Sequence, residues 1–318
     1  MQRNNRCGNN KGDAKGMKRC ISCGNALNGE KFIHQKCAKR LFGVSYLPKI
    51  KFSLNEITQE AQKSVGQLSI SGLQMKLSMK LDKKTKQLIP TAHGGEYILK
   101  PKNSVFPTIT ENENLCMTIA EQVGIEVPPH SLIKLGDGTL AYIVKRFDRK
   151  NGQKVHQEDF CQILAKTTEE KYDGSAEQIA NKLKRLSEFP GLDIQYFYER
   201  LLLYFIIGNG DSHLKNFSIN YTTPGNVRLS PAYDIVSSRL ELPDERHEFA
   251  ISINGKRDKI TIKDFMSFAA KFNIPPKITT KTLAKKTIIV ELINDSLLTH
   301  PLKQKFLKIV EARFSSLK

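Results

Sequence analysis

Between Tyr196 and Ile207 the chain is largely apolar, enough for about three helical turns, and it then breaks on Gly208-Asn209-Gly210. A buried helix that stops on glycines delivers the next residues to a fixed place in the fold. Those residues are Asp211-Ser212-His213-Leu214-Lys215-Asn216. Two β-patterned runs follow, Phe217–Tyr221 and Val227–Leu229, joined around Thr223-Pro224-Gly225-Asn226, and they lead to Pro231-Ala232-Tyr233-Asp234. A helix, a loop and a hairpin thus gather two carboxylates and an amide that are distant along the chain.

Asp-x4-Asn followed across a hairpin by a second Asp is the spacing that phosphoryl transfer uses in protein kinases. One carboxylate must orient the attacking hydroxyl and accept its proton. A second carboxylate and an amide must hold magnesium against the phosphates. Asp211 is therefore assigned as the base, and Asn216 and Asp234 as magnesium ligands. Asp and Asn are also ordinary turn residues, and either alone would carry little weight. Their joint spacing between a buried helix and a hairpin favours the catalytic reading. His213 and Lys215 lie between them, where they can reach phosphate oxygens or simply be solvated.

Partner elements lie upstream. Ser69-Ile70-Ser71-Gly72-Leu73-Gln74-Met75-Lys76 is a small-residue loop whose backbone N–H groups suit phosphate, although it is neither a GxGxxG nor a Walker A loop. Lys100 ends the apolar run Tyr97-Ile98-Leu99 and can pair with α- and β-phosphates, with Glu113 as candidate counter-ion and Glu111 as competitor. Val144-Lys145-Arg146-Phe147 crosses to the following segment, where backbone groups can meet an adenine. Leu77–Leu81 alternates at period two, Glu111–Val123 has helical spacing ending at Gly124, and Ser131–Leu135 and Thr139–Phe147 flank a Gly136-Asp137-Gly138 turn. The expected class is α+β, a two-lobed protein-kinase-like fold with a β-rich small lobe (51–145) and a mostly helical large lobe (146–318). The last sixty or so residues read as three helices, one starting at a Thr261-x-x-Asp264 cap.

The N-terminal part differs in character. Residues 1–19 form a basic tail without hydrophobic periodicity, expected to be disordered. Residues 20–50 carry Cys20-x2-Cys23 and His34-x2-Cys37, two close pairs of soft ligands that suit tetrahedral structural zinc; incidental thiols near a chain end are the plainer alternative. Cys7 belongs to the same crowded stretch, whereas Cys116 and Cys161 sit in apolar surroundings as core residues. A net charge of +18 favours an anionic partner. No run approaches a membrane span and no secretory signal is visible, so the expected location is the cytoplasm, with no membrane partner.

Taken together, Ser69-Ile-Ser-Gly-x-Gln-x-Lys76, Ile98-Leu-Lys-Pro101, Lys145-Arg-Phe-Asp-Arg149, His156-Gln-Glu-Asp-Phe-Cys-Gln162, Gly208-Asn-x-Asp-x-His-x-Lys-Asn216 and Pro231-x-Tyr-Asp234 resemble the HipA family of toxin kinases. The blocks occur in the family's order over roughly residues 65–240. The resemblance implies a serine/threonine protein kinase within a bacterial toxin–antitoxin system. It implies ATP contacts at Ser71, Gly72, Leu73, Gln74, Met75, Lys76, Lys100, Lys145, Arg146, Phe147, His213, Lys215, Asn216, Tyr233 and Asp234. It also implies autophosphorylation at Ser69, Ser71 or both, which would eject the loop and silence the enzyme. The implied partners are a helix-turn-helix, HipB-like antitoxin on operator DNA and an aminoacyl-tRNA synthetase as substrate.

Two departures stand out. Full-length members of that family carry a further N-terminal subdomain of about one hundred residues, which the residues ahead of the loop are expected to be too few to form, the Cys/His module standing there instead. The chain thus resembles the shortened, HipT-like kinases of three-gene systems, in which a separate, HipS-like small protein supplies that subdomain. Lys145 stands where the best-known members carry an acidic residue. Glu158 and Asp159 fit either a substrate contact or a helix cap. Two other classes remain open on the residues alone: a non-catalytic subunit of a DNA-bound repressor, using the basic tail and Cys/His module, and a small-molecule kinase sharing the Asp-x4-Asn logic.

Overall fold

The computed structural model describes residues 19–29, 32–63, 74–150, 152–223, 226–242, 245 and 247–318. Cys7, the serines Ser69 and Ser71, and Gly72 and Leu73 lie outside the described residues.

The chain enters through the Cys/His segment into α1 (Gln35–Phe42) and α2 (Leu54–Lys63). Then come β1 (Leu77–Asp82), β2 (Gln87–Pro90), β3 (Tyr97–Pro101), α3 (Ile109–Val123), β4 (His130–Lys134) and β5 (Leu140–Lys145). These strands form an antiparallel sheet in the order β2-β1-β3-β5-β4. Its register pairs Leu77 with Leu99 and Met79 with Tyr97, and Leu99 with Ile143 on the other side. Those side chains share one face and close a core with Leu41 and Phe42 of α1. Alternation along β3 then sends Lys100 to the opposite face, beneath α3. That helix is buried from Ile109 to Ala120 and ends on Gly124 at φ 100°, a left-handed C-cap that glycine adopts freely.

Beyond β5 lie a short hairpin, β6 (Arg149–Lys150) and β7 (Gln153–Lys154), then β8 (His156–Asp159), α4 (Phe160–Ile163), α5 (Ala176–Leu186) and α6 (Pro190–Ile206). A 3-10 turn at Leu214–Asn216 precedes β9 (Ser218–Thr223) and β10 (Asn226–Leu229), which pair in a sheet ordered β10-β9-β8. α6 runs through the main core, packing Phe197 edge-on to Phe217 at 5.1 Å and Phe205 on Phe265 at 5.6 Å. Buried Asp193 in its first turn accepts from the Leu229 amide at 2.9 Å and from the Arg228 guanidinium at 2.8 Å. This tie fixes the hairpin, and the Asp234 segment after it, relative to α6.

After α7 (Ser238–Glu241), the C-terminal part folds as α8 (Ile262–Lys271), α9 (Pro276–Leu283), α10 (Lys286–Asn294) and α11 (His300–Ser316). Four helices replace the three expected from the sequence. The break between α9 and α10 falls at Ala284-Lys285, where no glycine or proline announces a stop. The Thr261 cap does form, with its amide donating to the Asp264 carboxylate at 2.9 Å. Among the described residues, no helix is long and apolar enough to cross a membrane.

Candidate active site and Cys/His centre

Asp234 follows β10 in a left-handed backbone conformation, φ 53°, unusual for a residue with a Cβ and typical of a position that its surroundings over-determine. Its carboxylate receives two ammonium groups. Lys76 Nζ is 3.0 Å from Oδ2, and Lys100 Nζ contacts Oδ1. Lys100 also pairs with Glu113 Oε1 at 2.5 Å, deep under the sheet. Glu111 instead pairs with Lys102 at 2.5 Å. Burial works against every charge here, but the two carboxylates outweigh it on Lys100 and hold its ammonium well above the usual range. For Asp234, Lys100 and Lys76 outweigh burial and hold the carboxyl well below its usual range. Burial pushes Glu113 up, and its Oε2 is a buried oxygen without a hydrogen-bond partner among the described residues.

The Asp211 loop leaves α6 through Gly208, at φ 69°. Gly210 is closely packed against a side chain. Its amide donates to Ser238 Oγ at 2.8 Å, and Ser238 Oγ donates to Glu245 Oε2 at 2.6 Å. A Cβ on Gly210 would sit 2.5 Å from that same Glu245 oxygen. Burial raises the Glu245 carboxyl, with Asp211 adding to the effect. Asp211 Oδ1 accepts a hydrogen bond from the Tyr172 hydroxyl at 2.8 Å. Asn216 Oδ1 accepts from the His213 amide at 3.1 Å, which closes the turn. Lys215 Nζ donates to Thr168 Oγ1 at 3.3 Å. Burial lowers His213 to about 4, against opposing pulls from both Asp211 and Asp234. The ring is thus neutral near pH 7 and feels both carboxylates.

The remaining sequence-assigned positions arrange around these two clusters. Phe147 packs on Tyr233 with ring centroids 5.4 Å apart, and the Tyr233 hydroxyl donates to the Lys215 carbonyl at 2.9 Å. The Lys145 amide donates to Pro129 O and the Arg146 amide to Glu96 O, each at 2.8 Å. The Arg146 guanidinium is engaged by Asp148 at 2.6 and 2.9 Å. Gln74 Nε2 donates to Pro101 O at 3.3 Å, and Met75 packs against the core below the five-stranded sheet. Asp159 caps α4 through the Gln162 amide at 2.9 Å, while Glu158 accepts from the Tyr221 hydroxyl at 2.6 Å. Sequence reasoning missed Tyr172 and Glu245. Both lie in polar stretches without a periodic or motif signal, and both matter only through contacts made across the fold.

The second centre is built by Cys20, Cys23, His34 and Cys37, whose ligand atoms all lie within 4.8 Å of one another. His34 is the N-cap residue of α1, which sets Cys37 in its first turn. His34 Nδ1 is 3.4 Å from Cys23 Sγ and 3.8 Å from Cys37 Sγ, while Nε2 meets the Ala26 carbonyl at 2.8 Å. An Nε2–H held by a carbonyl leaves Nδ1 free as a ligand. The His34 amide approaches Cys20 Sγ at 3.5 Å. Hydrogen bonds from the neighbouring thiols pull Cys20 down, while the other two sulfurs push Cys37 up. Three buried thiols sharing one space cannot all ionise unless a cation compensates them. Three sulfurs and one imidazole fit zinc's preferred tetrahedral set.

This module is bolted to α3. Asn114 Nδ2 donates to Ile21 O at 3.0 Å, Gln122 Nε2 to Cys23 O at 2.6 Å, and Arg40 pairs with Glu121. Ser22 Oγ donates to the His130 carbonyl at 2.7 Å. Arg19, placed in the tail by the sequence reading, holds Glu291 at 2.9 Å and Asp295 at 2.5 Å on the far side. A Cβ on Gly24 would lie 2.6 Å from Thr118, so the module's turn seats directly on the helix.

A family model described as the HipA-like C-terminal domain matches residues 68–293. The supposed kinase Y4dM of Sinorhizobium fredii is 33% identical over 247 residues, which is 72% of this chain and 59% of that protein. A supposed kinase of Haemophilus influenzae is 33% identical over 205 residues, 60% of this chain and 58% of its own length. The chain therefore spans less than two thirds of these curated relatives. Among solved structures, HipA of Shewanella oneidensis, in its complex with HipB and operator DNA, superposes with a TM-score of 0.67 at 21% identity, covering 84% of this chain and 71% of that one. The proinflammatory kinase CtkA of Helicobacter pylori gives 0.53 at 13% identity, covering 79% and 92%. At these identities the two structures establish a shared α+β fold with a curled small-lobe sheet.

Proposed function

The chain belongs to the HipA-like C-terminal domain family, and we propose that it is an ATP- and magnesium-dependent serine/threonine protein kinase, the toxin of a HipA-like toxin–antitoxin system. The observation that carries this reading is Lys100, buried between Glu113 on α3 and Asp234 beyond the hairpin. A lysine held by a helix glutamate, beside a carboxylate in a strained backbone conformation, is the phosphate-clamping arrangement of kinases.

In this mechanism Lys100 meets the α- and β-phosphates, and Glu113 holds it in place. Asp234 and Asn216 would hold magnesium, which when bound would neutralise charge on the phosphates. Asp211 orients the acceptor hydroxyl and takes its proton. Neutral His213 donates toward the phosphates without adding charge, and Lys215 and Lys76 add theirs. Backbone groups of Lys145 to Phe147 face the adenine. Residues 51–145 act as the small lobe and residues 146–318 as the large lobe, and Cys20, Cys23, His34 and Cys37 would hold a structural zinc. Autophosphorylation falls on Ser69 or Ser71 and switches the enzyme off. The acceptor is a serine of an aminoacyl-tRNA synthetase, and the partners are a HipB-like antitoxin on operator DNA and a HipS-like small protein.

The test is to incubate the purified protein with ATP and magnesium and to measure the intact mass and the phosphorylated peptides. Addition of phosphate at Ser69 or Ser71, absent in Asp211→Asn, is the expected result. Equal behaviour of the two proteins, toward themselves and toward a panel of synthetases, would reject the reading.

A further inference from the structure

Tyr172 lies on the segment between α4 and α5, and its hydroxyl donates to Asp211 Oδ1 at 2.8 Å. A general base has to accept a hydrogen bond from the acceptor's hydroxyl at this distance. The phenol therefore occupies one of the positions from which a substrate serine can reach this base. The segment's backbone is fixed on both sides of it. The Leu214 amide donates to Lys171 O at 3.0 Å, and Arg257 reaches the Tyr172 carbonyl. Gly174 packs so closely on Leu214 that a Cβ would fall 2.6 Å from Leu214 Cδ2. The ring is edge-on to His213 at 5.3 Å, yet the residue remains 37% exposed. The base is thus covered by a side chain whose outer side faces solvent, on a backbone that need not move to release it.

We propose that Tyr172 is a specificity-determining gate of the acceptor subsite, its phenol holding Asp211 until a serine-bearing segment displaces it. This rests on the kinase reading, with Asp211 as the base. Burial, and then the Asp211 carboxylate, hold the phenol's proton on, so Tyr172 donates to the base without becoming a nucleophile. While the phenol is in place it takes one acceptor site of that oxygen, so water has to compete with it for the base, which slows idle hydrolysis of ATP. An acceptor segment must replace the bond it breaks, and a hydroxyl presented in the phenol's position does so.

The experiment measures ADP release by the full chain with ATP and magnesium, first alone and then with increasing amounts of a degenerate peptide pool whose only hydroxyl residue is serine. Wild type, Tyr172→Phe and Asp211→Asn are compared. Removing the hydroxyl is expected to lower KM for the pool about tenfold, the worth of one hydrogen bond to a charged group, and to raise ADP release without peptide. A fall in kcat with KM unmoved would overturn the gate and make Tyr172 a positioning residue for Asp211. Phosphate found on Tyr172 of the wild type would overturn it too, by making the phenol an acceptor. A wild type that turns over and a Tyr172→Phe variant that matches it would sink the gate alone. ADP release by the wild type no faster than by Asp211→Asn would instead sink the kinase reading, and the gate with it.

Discussion

The Lys76 ammonium lies 3.0 Å from Asp234 Oδ2, while Lys100 holds Oδ1 of the same carboxylate. If Asp234 holds magnesium as proposed, Lys76 and the cation would compete for its carboxylate, and a phosphate would give the displaced lysine a new partner. Lys76→Ala is expected to tighten magnesium binding to the nucleotide-free protein by about tenfold, the order of one partly screened charge interaction. It should weaken binding of an ATP analogue by a similar factor. Isothermal titration with magnesium, and then with the analogue, reads both. Weaker magnesium binding in the variant would mean that Lys76 positions Asp234 and does not compete for it.

Lys100 and Glu113 form a second, deeper pair, with side-chain exposures of 4% and 2%. Removing one member of a buried pair costs about 3–5 kcal/mol because the other charge is stranded. Lys100→Met strands Glu113 and leaves Asp234 with Lys76 alone, whereas Glu113→Gln leaves Lys100 still paired with Asp234. Chemical denaturation should therefore rank Lys100→Met as the less stable protein. Phosphoryl transfer should be lost in Lys100→Met and only reduced in Glu113→Gln. The reverse ranking in stability would show that Asp234 contributes little to holding the lysine.

Much of this site could be read before the fold was known, and the reason is local. Gly208-Asn209-Gly210 ends an apolar helix in any context, and the Asp211–Asn216 and Asp234 segments follow from turn and hairpin signals within a short span. The Cys20–Cys37 pairs are likewise a matter of spacing. Choosing Glu113 over Glu111 for Lys100 needed the rotation of α3 against the sheet, because both glutamates sit in the same two turns. Tyr172 and Glu245 were out of reach for a stronger reason. Each becomes meaningful only when the chain brings it against Asp211 or Gly210, and nothing in the flanking residues encodes that meeting.

Metal removal should be felt on α3. The Cys/His module grips Asn114, Glu121 and Gln122 on one side of the helix that carries Glu113. If zinc supplies the module's folding energy, chelation should expose the outer face of α3. Purified protein should contain close to one zinc per chain by elemental analysis. Stripping it should raise hydrogen exchange across residues 109–123 and lower the melting temperature by several degrees, about 2–4 °C per kcal/mol for a protein of this size class. Cys37→Ser should do the same without a chelator. Unchanged exchange in a zinc-free protein would show that the hydrogen bonds alone hold the module.

Acid should weaken the protein through His130, which is buried and lowered to about 4. Burial keeps the ring neutral, against the pull of the Pro128 carbonyl that Nδ1 meets at 3.1 Å; Nε2 lies 3.4 Å from Thr118 Oγ1. The unfolded chain takes up the proton near 6.5, and the folded one only near 4. The folded protein therefore has its full advantage above about pH 6.5 and loses it progressively down to about pH 4, by roughly 3 kcal/mol at most. His130→Gln, measured by denaturant melts across that range, should flatten this part of the pH dependence. An unchanged slope would assign the loss to other groups, such as the Cys/His ligands.

Gly210 offers the sharpest test of the loop's construction. Its Cβ position coincides with the Glu245 carboxylate, 2.5 Å from Oε2, and that carboxylate also fixes Ser238 behind the loop. Gly210→Ala should therefore push Glu245 and Asp211 apart, with an overpacking cost of about 1–3 kcal/mol and a loss of phosphoryl transfer out of proportion to it. Shortening the opposing side chain makes room, so the double variant Gly210→Ala, Glu245→Ala should recover part of both. The coupling between the two positions should be favourable and larger than about 0.5 kcal/mol, the usual limit of additivity for independent sites. A double variant no better than the sum of its parts would show that the Glu245 side chain moves aside for a methyl group and that this contact does not hold the loop.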